Sequence, residues 1–246
     1  MILLSACQRV EEPIFYSAGF PESSNVPIII EEKIEPSIIV AKEDKGEEKK
    51  TAEIDKIGSV PFAAQAPFGN WSDPKQQDGC EEASALMAVA WAREEGLNLT
   101  EAETKIIACA DYQIENYGTA VDTDVKDSIE RIYNGCFSFT KVEARYGISL
   151  EDIILEIENG SLVVVPANGQ ILANPFYTAP GPDRHNLLII GYDPDTNEFI
   201  TNDAGTRHGQ NFRFPANRVF EAIYDYPTGN HEPILNEQKA MIVISR

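Results

Sequence analysis

The stretch QQDGCEEASALMAVAW, residues 76–91, places a cysteine directly after a glycine and directly before an apolar run. Apolar side chains recur in this run at steps of three and four residues, which predicts one apolar stripe along a buried helix. The residues of this stripe are Ala83, Leu86, Met87, Ala90 and Trp91. The stretch therefore predicts a central helix that begins at or near Cys80.

The start of this helix has the residues of a capping box. Asp78 can cap the helix and Glu81, three residues on, can return the bond, which puts Cys80 in the first turn. The free N–H groups and the dipole of a helix start lower the pKa of a thiol, whereas the charges of Glu81 and Glu82 raise it. Cys80 is thus a candidate nucleophile that needs a base from elsewhere in the chain, or else a buried structural thiol.

Composition restricts the classes of partner. The chain has 246 residues, of which 43% are hydrophobic, enough for a folded core. Its 40 acidic and 20 basic residues give a net charge of -20, which argues against a nucleic-acid partner. The four cysteines contain no CxxC pair, so a zinc site has little support. Cys109 lies in an apolar helical stretch and is expected to be a buried core thiol, with a disulfide to Cys136 outside the cytoplasm as the alternative.

The first 56 residues differ in composition from the rest. Residues 1–7 end in Leu-Ser-Ala-Cys, which resembles the lipobox of bacterial lipoproteins, although the apolar run before Cys7 is too short for a signal peptide. We therefore expect a gene start further upstream and a lipid on Cys7; the alternative is that the match is chance. Residues 8–56 mix proline with dense charge of both signs, which predicts a disordered tether. No stretch approaches the roughly 20 apolar residues of a transmembrane helix.

Residues 57–246 are predicted to form the folded domain. A short strand is expected near residues 59–65, and further helices are expected after Thr100 as N-cap, across 125–135 and after Ser149 as N-cap. The second half contains short β-rich runs, with a hairpin connection at 193–197; these runs are 161–168, 185–193, 198–203 and 240–245. This order predicts an α+β domain with helices packed on one side of an antiparallel sheet.

The base is sought among three histidines. His185 opens an apolar predicted strand, whereas His208 and His231 lie in predicted solvated loops. Asp203 ends the next strand, and a hairpin would bring it next to His185, where it would orient the imidazole. Asn202 competes for this position, because a register shift of one residue reverses the faces of a strand.

These residues carry a resemblance to a known family. VPFAAQ at 60–65, DGCEEAS at 78–84, RHNLLIIGYD at 184–193 and FITND at 199–203 stand in the order glutamine, cysteine, histidine, aspartate. In this order and context they resemble the bacteriocin-processing (double-glycine leader) peptidase-like family of papain-like cysteine peptidases. The resemblance extends over about residues 57–246 and implies a papain-like α+β fold.

The resemblance also implies roles for individual residues. Cys80 would be the nucleophile, His185 the base, Asp203 its orienting partner, and Gln65 a donor to the oxyanion together with the Cys80 N–H. Gln76 and Gln77 remain alternatives for this donor, because Gln65 lies further from Cys80 than is usual in the family. The family's glycine after the cysteine is replaced by Glu81. This chemistry requires no metal or organic cofactor.

The sequence therefore predicts a cysteine peptidase that acts on a peptide or protein substrate outside the cytoplasm. A catalytically silent surface binding module on the same fold is the alternative from another class, motivated by the two acids beside Cys80. Acyl transfer, with an amine in place of water, is the third. The family's fused transporter is absent from the chain, which weakens a role in leader-peptide export.

Overall fold

The structure is a computed structural model that describes residues 57–235 and 238–246. The lipobox-like segment 1–7 with Cys7 and the predicted tether at 8–56 lie outside the described residues. Within the described ranges, no helix has the length and the apolar character needed to cross a membrane.

Helices dominate the first half of the domain. The helices that precede most of the sheet are α1 Pro74–Gln77, α2 Cys80–Ala92, α3 Leu99–Tyr117, α4 Val125–Asp127, a π-helix Ser128–Cys136 and α5 Leu150–Glu158. Two further helices lie between strands: α6 Gly169–Leu172 and α7 Ala216–Ala222. The single helix predicted across 125–135 is therefore a short α-helix that continues as a π-helix to Cys136.

Two of the predicted helix caps are wrong and one is confirmed. Asp78 does not cap α2: it closes α1, and Gly79 stands at the N-cap of α2 without a side-chain bond. α3 begins two residues earlier than predicted, with Asn98 rather than Thr100 as its cap, in a capping box with Glu101. Ser149 caps α5 as predicted, again within a capping box.

α2 is buried on all sides rather than along one stripe. Every residue from Cys80 to Trp91 is buried, including the charged Glu81 and Glu82 and the polar Ser84. The helix packs against α3, the π-helix and the strands of the sheet. Because α2 is a central element of the core, its first turn is held rigidly in position.

The sheet has six strands in the order β1-β6-β2-β3-β4-β5, and all neighbouring strands are antiparallel. The strands are β1 Val142–Tyr146, β2 Leu162–Ala167, β3 His185–Asp193, β4 Glu198–Asn202, β5 Phe212–Pro215 and β6 Ala240–Ile244. The four predicted strands and the hairpin between β3 and β4 are present. β1 and β5 were not predicted, because both are short edge strands that are only partly buried.

The predicted strand near residues 59–65 is absent, since this segment is irregular. All residues of β2 and β6 are buried. Alternate side chains of a strand point to opposite faces, so the centre of the sheet is covered on both faces, which extends the one-sided packing expected from the sequence. The α+β fold class is confirmed.

Candidate active site

Cys80 is the first residue of α2, and the backbone comes very close to α1 at this point. A Cβ atom on Gly79 would lie 2.7 Å from the carbonyl oxygen of Lys75, so only glycine fits before the cysteine. Cys80 itself is buried, with 8% of its surface exposed. Its thiol donates a hydrogen bond to Glu81 Oε2 at 2.9 Å, and the backbone N–H of Asn186 faces the sulfur.

The surroundings of Cys80 favour the protonated thiol. Burial raises the pKa of the Cys80 thiol well above its usual value, and the charge of Glu81 and its hydrogen bond raise it further. The Asn186 N–H lowers the pKa, but this single donor does not outweigh the burial and the adjacent carboxylates. The structure therefore holds Cys80 in its thiol form.

His185 and Asp203 meet at the adjoining ends of β3 and β4. His185 Nε2 lies 2.8 Å from Asp203 Oδ1, and both side chains are buried. Asn202, the alternative partner, instead donates to the carbonyl of Pro61 and accepts from the N–H of Asn211. The predicted contact of His185 is thus made by Asp203.

Asp203 receives hydrogen bonds from several groups besides His185. Tyr177 Oη and Asn174 Nδ2 donate to Oδ2 at 2.6 and 2.8 Å, and the N–H of Gly205 donates to Oδ1 at 3.0 Å. Burial alone would raise the pKa of Asp203, but the charge of His185 and the hydrogen bonds from His185, Tyr177 and Asn174 lower it below its usual value. Asp203 is therefore an ionised carboxylate in the core.

The start of α2 meets the start of β3. The sulfur of Cys80 contacts the backbone N–H of the residue that follows His185 in sequence, and Ser84 Oγ donates to the carbonyl of that same residue, Asn186, at 3.2 Å. The structure thereby brings the segment of the candidate nucleophile together with the segment of the candidate base, although 105 residues separate them in the sequence numbering. Because Nε2 of His185 is used by Asp203, Nδ1 is the ring nitrogen that remains for a thiol.

Gln65, the predicted oxyanion donor, has its amide hydrogens occupied. Its Nε2 donates to the carbonyls of Gln76 and Gln77 at 3.0 and 2.7 Å, and since carbonyls only accept, this amide orientation is fixed. Its backbone N–H donates to the carbonyl of Ala204, next to Asp203. The Nε2 of Gln76 donates to Asp73, and the side chain of Gln77 is exposed. The oxyanion role of Gln65 stays a prediction that requires one of its two bonds to open.

A second group of polar contacts surrounds Glu81. Tyr226 Oη donates to Glu81 Oε1 at 2.8 Å and accepts from Asn186 Nδ2 at 2.6 Å, and the N–H of Thr123 lies 3.4 Å from Oε1. Together with the Cys80 thiol these contacts form a chain of hydrogen bonds from Cys80 through Glu81 and Tyr226 to Asn186, and the backbone N–H of Asn186 lowers the pKa of the Cys80 thiol. Burial raises the pKa of Glu81, and the hydrogen bonds from Cys80 and Tyr226 offset part of this effect.

Glu82 points away from the thiol into the core. Gln113 Nε2 donates to Glu82 Oε1 at 2.6 Å, while Glu82 Oε2 and Gln113 Oε1 are buried without a hydrogen-bond partner among the described residues. Burial, followed by the charge of Glu81, raises the pKa of Glu82 well above its usual value. Protonation of Oε2 would satisfy both free oxygens in one acid–amide pair.

The remaining histidines and cysteines lie in other surroundings. His208 is exposed and stacks on Phe176, with ring centroids 4.5 Å apart. The half-exposed His231 does not have the purely solvated position expected of it, because its Nδ1 lies 3.0 Å from Asp122 Oδ2. Cys109 and Cys136 form a disulfide with a Cα–Cα distance of 5.5 Å, and Cys80 is the free cysteine of the described residues.

Sequence reasoning missed Asn174, Tyr177 and Tyr226. Asn174 and Tyr177 lie in the loop that follows α6, and their sequence surroundings, ANPFYTAP, indicate only an irregular segment. Tyr226 lies 145 residues from Glu81, so no local pattern connects them. These contacts could be found only from the folded chain.

Comparison with known proteins decides the family. The model of the Peptidase_C39-like family matches residues 57–230, most of the described domain. The chain belongs to the Peptidase_C39-like family. This match confirms the resemblance carried by the cysteine, histidine and aspartate motifs, and membership in the family indicates a peptidase-type, thiol-dependent function.

Solved structures give further matches to this Peptidase_C39-like chain. Nine structural chains match, among them the crystal structure of a Bacillus anthracis protein assigned as a C39-like peptidase. That protein has 14% sequence identity and a TM-score of 0.47, and the match covers 76% of this chain and 96% of the Bacillus anthracis chain. No curated protein matches the sequence.

Proposed function

We propose that this protein is a cysteine peptidase in which Cys80 is the nucleophile, His185 the general base and Asp203 the residue that orients the imidazole. The observation that carries the proposal is that α2 meets the start of β3 beside the His185–Asp203 pair: Ser84 Oγ donates to the carbonyl of Asn186 at 3.2 Å, and the backbone N–H of Asn186 lowers the pKa of the Cys80 thiol. A nucleophile, a base and a residue that orients the base are the parts that acyl transfer from an amide requires.

In the proposed reaction the proton of the Cys80 thiol moves to Nδ1 of His185, and the sulfur attacks the substrate carbonyl. His185 returns the proton to the leaving amine as the C–N bond breaks, and water then hydrolyses the acyl-enzyme. Asp203 is held ionised by its donors, so it keeps the imidazole in one tautomer and stabilises the imidazolium. The N–H groups of the first turn of α2 supply donors for the oxyanion.

A peptide library incubated with the full chain and read by mass spectrometry tests the proposal. We expect cleavage by the wild type and a loss of roughly 10⁴-fold in Cys80→Ala and in His185→Ala, because each variant removes one member of the catalytic unit. His208→Ala is the matched control, since His208 is exposed and stacks on Phe176, and its activity should equal that of the wild type. Cleavage that persists in Cys80→Ala would refute the proposal.

One observation favours a second candidate function. The thiol of Cys80 is buried, protonated and hydrogen-bonded to Glu81, which is the state expected of a catalytically silent binding module on the same fold. Such a module would bind the library peptides without cleaving them, and its binding would not depend on His185 as a base. Acyl transfer uses the same triad and would appear in the library as ligated products when an amine is added.

The proposed location is outside the cytoplasm. The disulfide between Cys109 and Cys136 supports this location, because such bonds persist in oxidising compartments. The lipobox-like sequence before Cys7 adds a proposed lipid anchor to the membrane. The net charge of -20 supports a peptide or protein substrate over a nucleic acid.

A further inference from the structure

We propose that Glu81 makes an autoinhibitory contact with Cys80: its carboxylate holds the thiol proton and keeps the nucleophile inactive until the carboxylate leaves the sulfur or loses its charge. This inference deepens the proposed function and rests on it, since it concerns the regulation of the same thiol. It assigns a role to the residue that replaces the family's glycine after the cysteine.

The direction of the thiol proton is the first argument. Cys80 Sγ donates to Glu81 Oε2 at 2.9 Å, so the proton points towards a carboxylate rather than towards the imidazole. For catalysis the S–H bond must break with its electron pair left on sulfur, and a bond to Nδ1 of His185 must form. The hydrogen bond to Glu81 must therefore open before the proton can reach His185.

The second argument is that Glu81 is held in this position. Tyr226 Oη and the N–H of Thr123 both donate to Oε1, which leaves Oε2 directed at the sulfur. Tyr226 is fixed in turn by a hydrogen bond from the side-chain amide of Asn186. The backbone N–H of Asn186 faces the sulfur of Cys80. Because residues from four separate segments define the contact, it is a built feature of the fold rather than one rotamer of a surface side chain.

The third argument is electrostatic. A thiolate beside an ionised Glu81 would place two negative charges in contact within the core, where charge repulsion is strong. Two further carboxylates disfavour a second negative charge: Glu82 near Cys80 and Asp122 near Glu81. Tyr177 and Tyr226 also face Cys80, but burial raises the pKa of both hydroxyls, so they stay neutral.

Alkylation of Cys80 by iodoacetamide across a pH range tests the contact, with modified peptides resolved by mass spectrometry in the full chain. In Glu81→Gln the amide oxygen can keep the bonds from Tyr226 and Thr123, and the amide nitrogen takes the place of Oε2 and donates to sulfur. The variant should therefore fold and should react at neutral pH about tenfold faster than the wild type, as expected if the apparent pKa of the thiol falls.

Glu82→Gln is the matched control, because it makes the same acid-to-amide change one residue away but removes no contact with the sulfur. We expect a much smaller change in the alkylation rate for this variant. Equal acceleration by Glu81→Gln and Glu82→Gln would show a general effect of acid-to-amide changes in this region and would overturn the autoinhibitory contact, as would an unchanged rate in Glu81→Gln.

His185→Ala separates this inference from the proposed function. If both are correct, the fast alkylation of Glu81→Gln is lost when His185→Ala is added. If the rate in wild type depends on His185 but not on Glu81, the autoinhibitory contact is wrong and the proposed function stands. If His185→Ala changes the rate in neither background, the proposed function fails.

Infrared spectroscopy tests the contact without altering Glu81. In a Cys7→Ser background, the S–H stretching band of Cys80 should lie at lower frequency than that of a solvated thiol, because the proton is donated to a carboxylate. The band should disappear in Cys80→Ala. An S–H band of Cys80 at the frequency of a solvated thiol would overturn the inference.

Discussion

Asp203 and Glu81 are both buried carboxylates of the same site, yet their pKa values are shifted in opposite directions. Asp203 receives hydrogen bonds from His185, Tyr177, Asn174 and the N–H of Gly205, and its pKa lies below the usual value. Glu81 receives fewer strong donors and faces Asp122, and its pKa is raised. Burial by itself therefore does not decide the direction in which the pKa of a carboxylate in this core shifts; the number of donors aimed at it does.

The difference fits the roles proposed for the two residues. A carboxylate that orients a histidine must stay ionised throughout the reaction, and its donors come from the β3–β4 end and the loop after α6. Glu81, which accepts the thiol proton in a hydrogen bond, must be able to lose its charge for the thiol to be released. A raised pKa brings the pH at which Glu81 is protonated closer to neutral. Three variants test the comparison.

Asp203→Ala should have the largest effect. It leaves His185, Tyr177 and Asn174 without their common acceptor inside the core, and we expect the free energy of unfolding to fall by about 3–5 kcal/mol. Urea unfolding at neutral pH measures this change. Asp203→Asn is the control that keeps the shape and one acceptor oxygen, so its loss of unfolding free energy should be smaller. A loss below about 1 kcal/mol in Asp203→Ala would contradict the view that the donors depend on this carboxylate.

Tyr177→Phe should have the next largest effect, because it removes one donor from Asp203 and leaves the other donors in place. A hydrogen bond to a charged group contributes about 1.5–3 kcal/mol, which is the loss expected in urea unfolding. The pKa of Asp203 in the folded state is lowered, so its contribution to stability is present above the unfolded value of 3.8 and is lost as the pH falls through the folded pKa. Because Tyr177→Phe removes a donor that lowers this pKa, the variant should lose less stability than the wild type on acidification.

Tyr192→Phe is the control for Tyr177→Phe. The hydroxyl of Tyr192 makes an exposed hydrogen bond to Asn197 at 3.0 Å, so its removal should change the free energy of unfolding by at most about 0.5 kcal/mol. Equal losses of unfolding free energy in the two tyrosine variants would show that the hydrogen bond from Tyr177 to Asp203 contributes no more than an exposed one.

Asp225→Asn should have the smallest effect and the opposite sign at neutral pH. Asp225 Oδ1 accepts from the N–H of Val125 at 3.0 Å, which lowers the pKa of Asp225. Burial, together with the charges of Asp124 and Asp127, outweighs this bond and raises the pKa to about 6. Its contribution to stability is present below 3.8 and is lost as the pH rises through about 6. After allowance for solvent screening, we expect Asp225→Asn to gain about 1–2 kcal/mol at neutral pH.

The gain should vanish at acidic pH, where wild-type Asp225 is protonated. Urea unfolding across the acidic and neutral range measures the difference between the two curves. Glu115→Gln, which changes an exposed acid on α3, should give a curve parallel to the wild type. A constant offset between Asp225→Asn and the wild type would show that titration of Asp225 is not its cause.

Local patterns in the sequence predicted much of the fold. The spacing of apolar residues located α2, and the cap at Ser149 located α5, because both signals lie within a few residues of the helix they describe. The α+β class followed from helical periods in the first half and β-rich runs in the second. The caps at Asp78 and Thr100 were wrong, since several polar residues near a helix start compete and packing selects one.

By itself, the sequence determined the family, the α+β class and the positions of Cys80 at a helix start and His185 at a strand start, because each rests on short-range order. Only the tertiary structure decided the partners. A β-bulge between Ile189 and Gly191 shifts the pairing of β3 with β4 by one residue, which determines whether Asp203 or Asn202 faces His185. Likewise, Tyr226 reaches Glu81 across 145 residues. Such contacts depend on how distant segments pack, and no pattern along the chain encodes that distance.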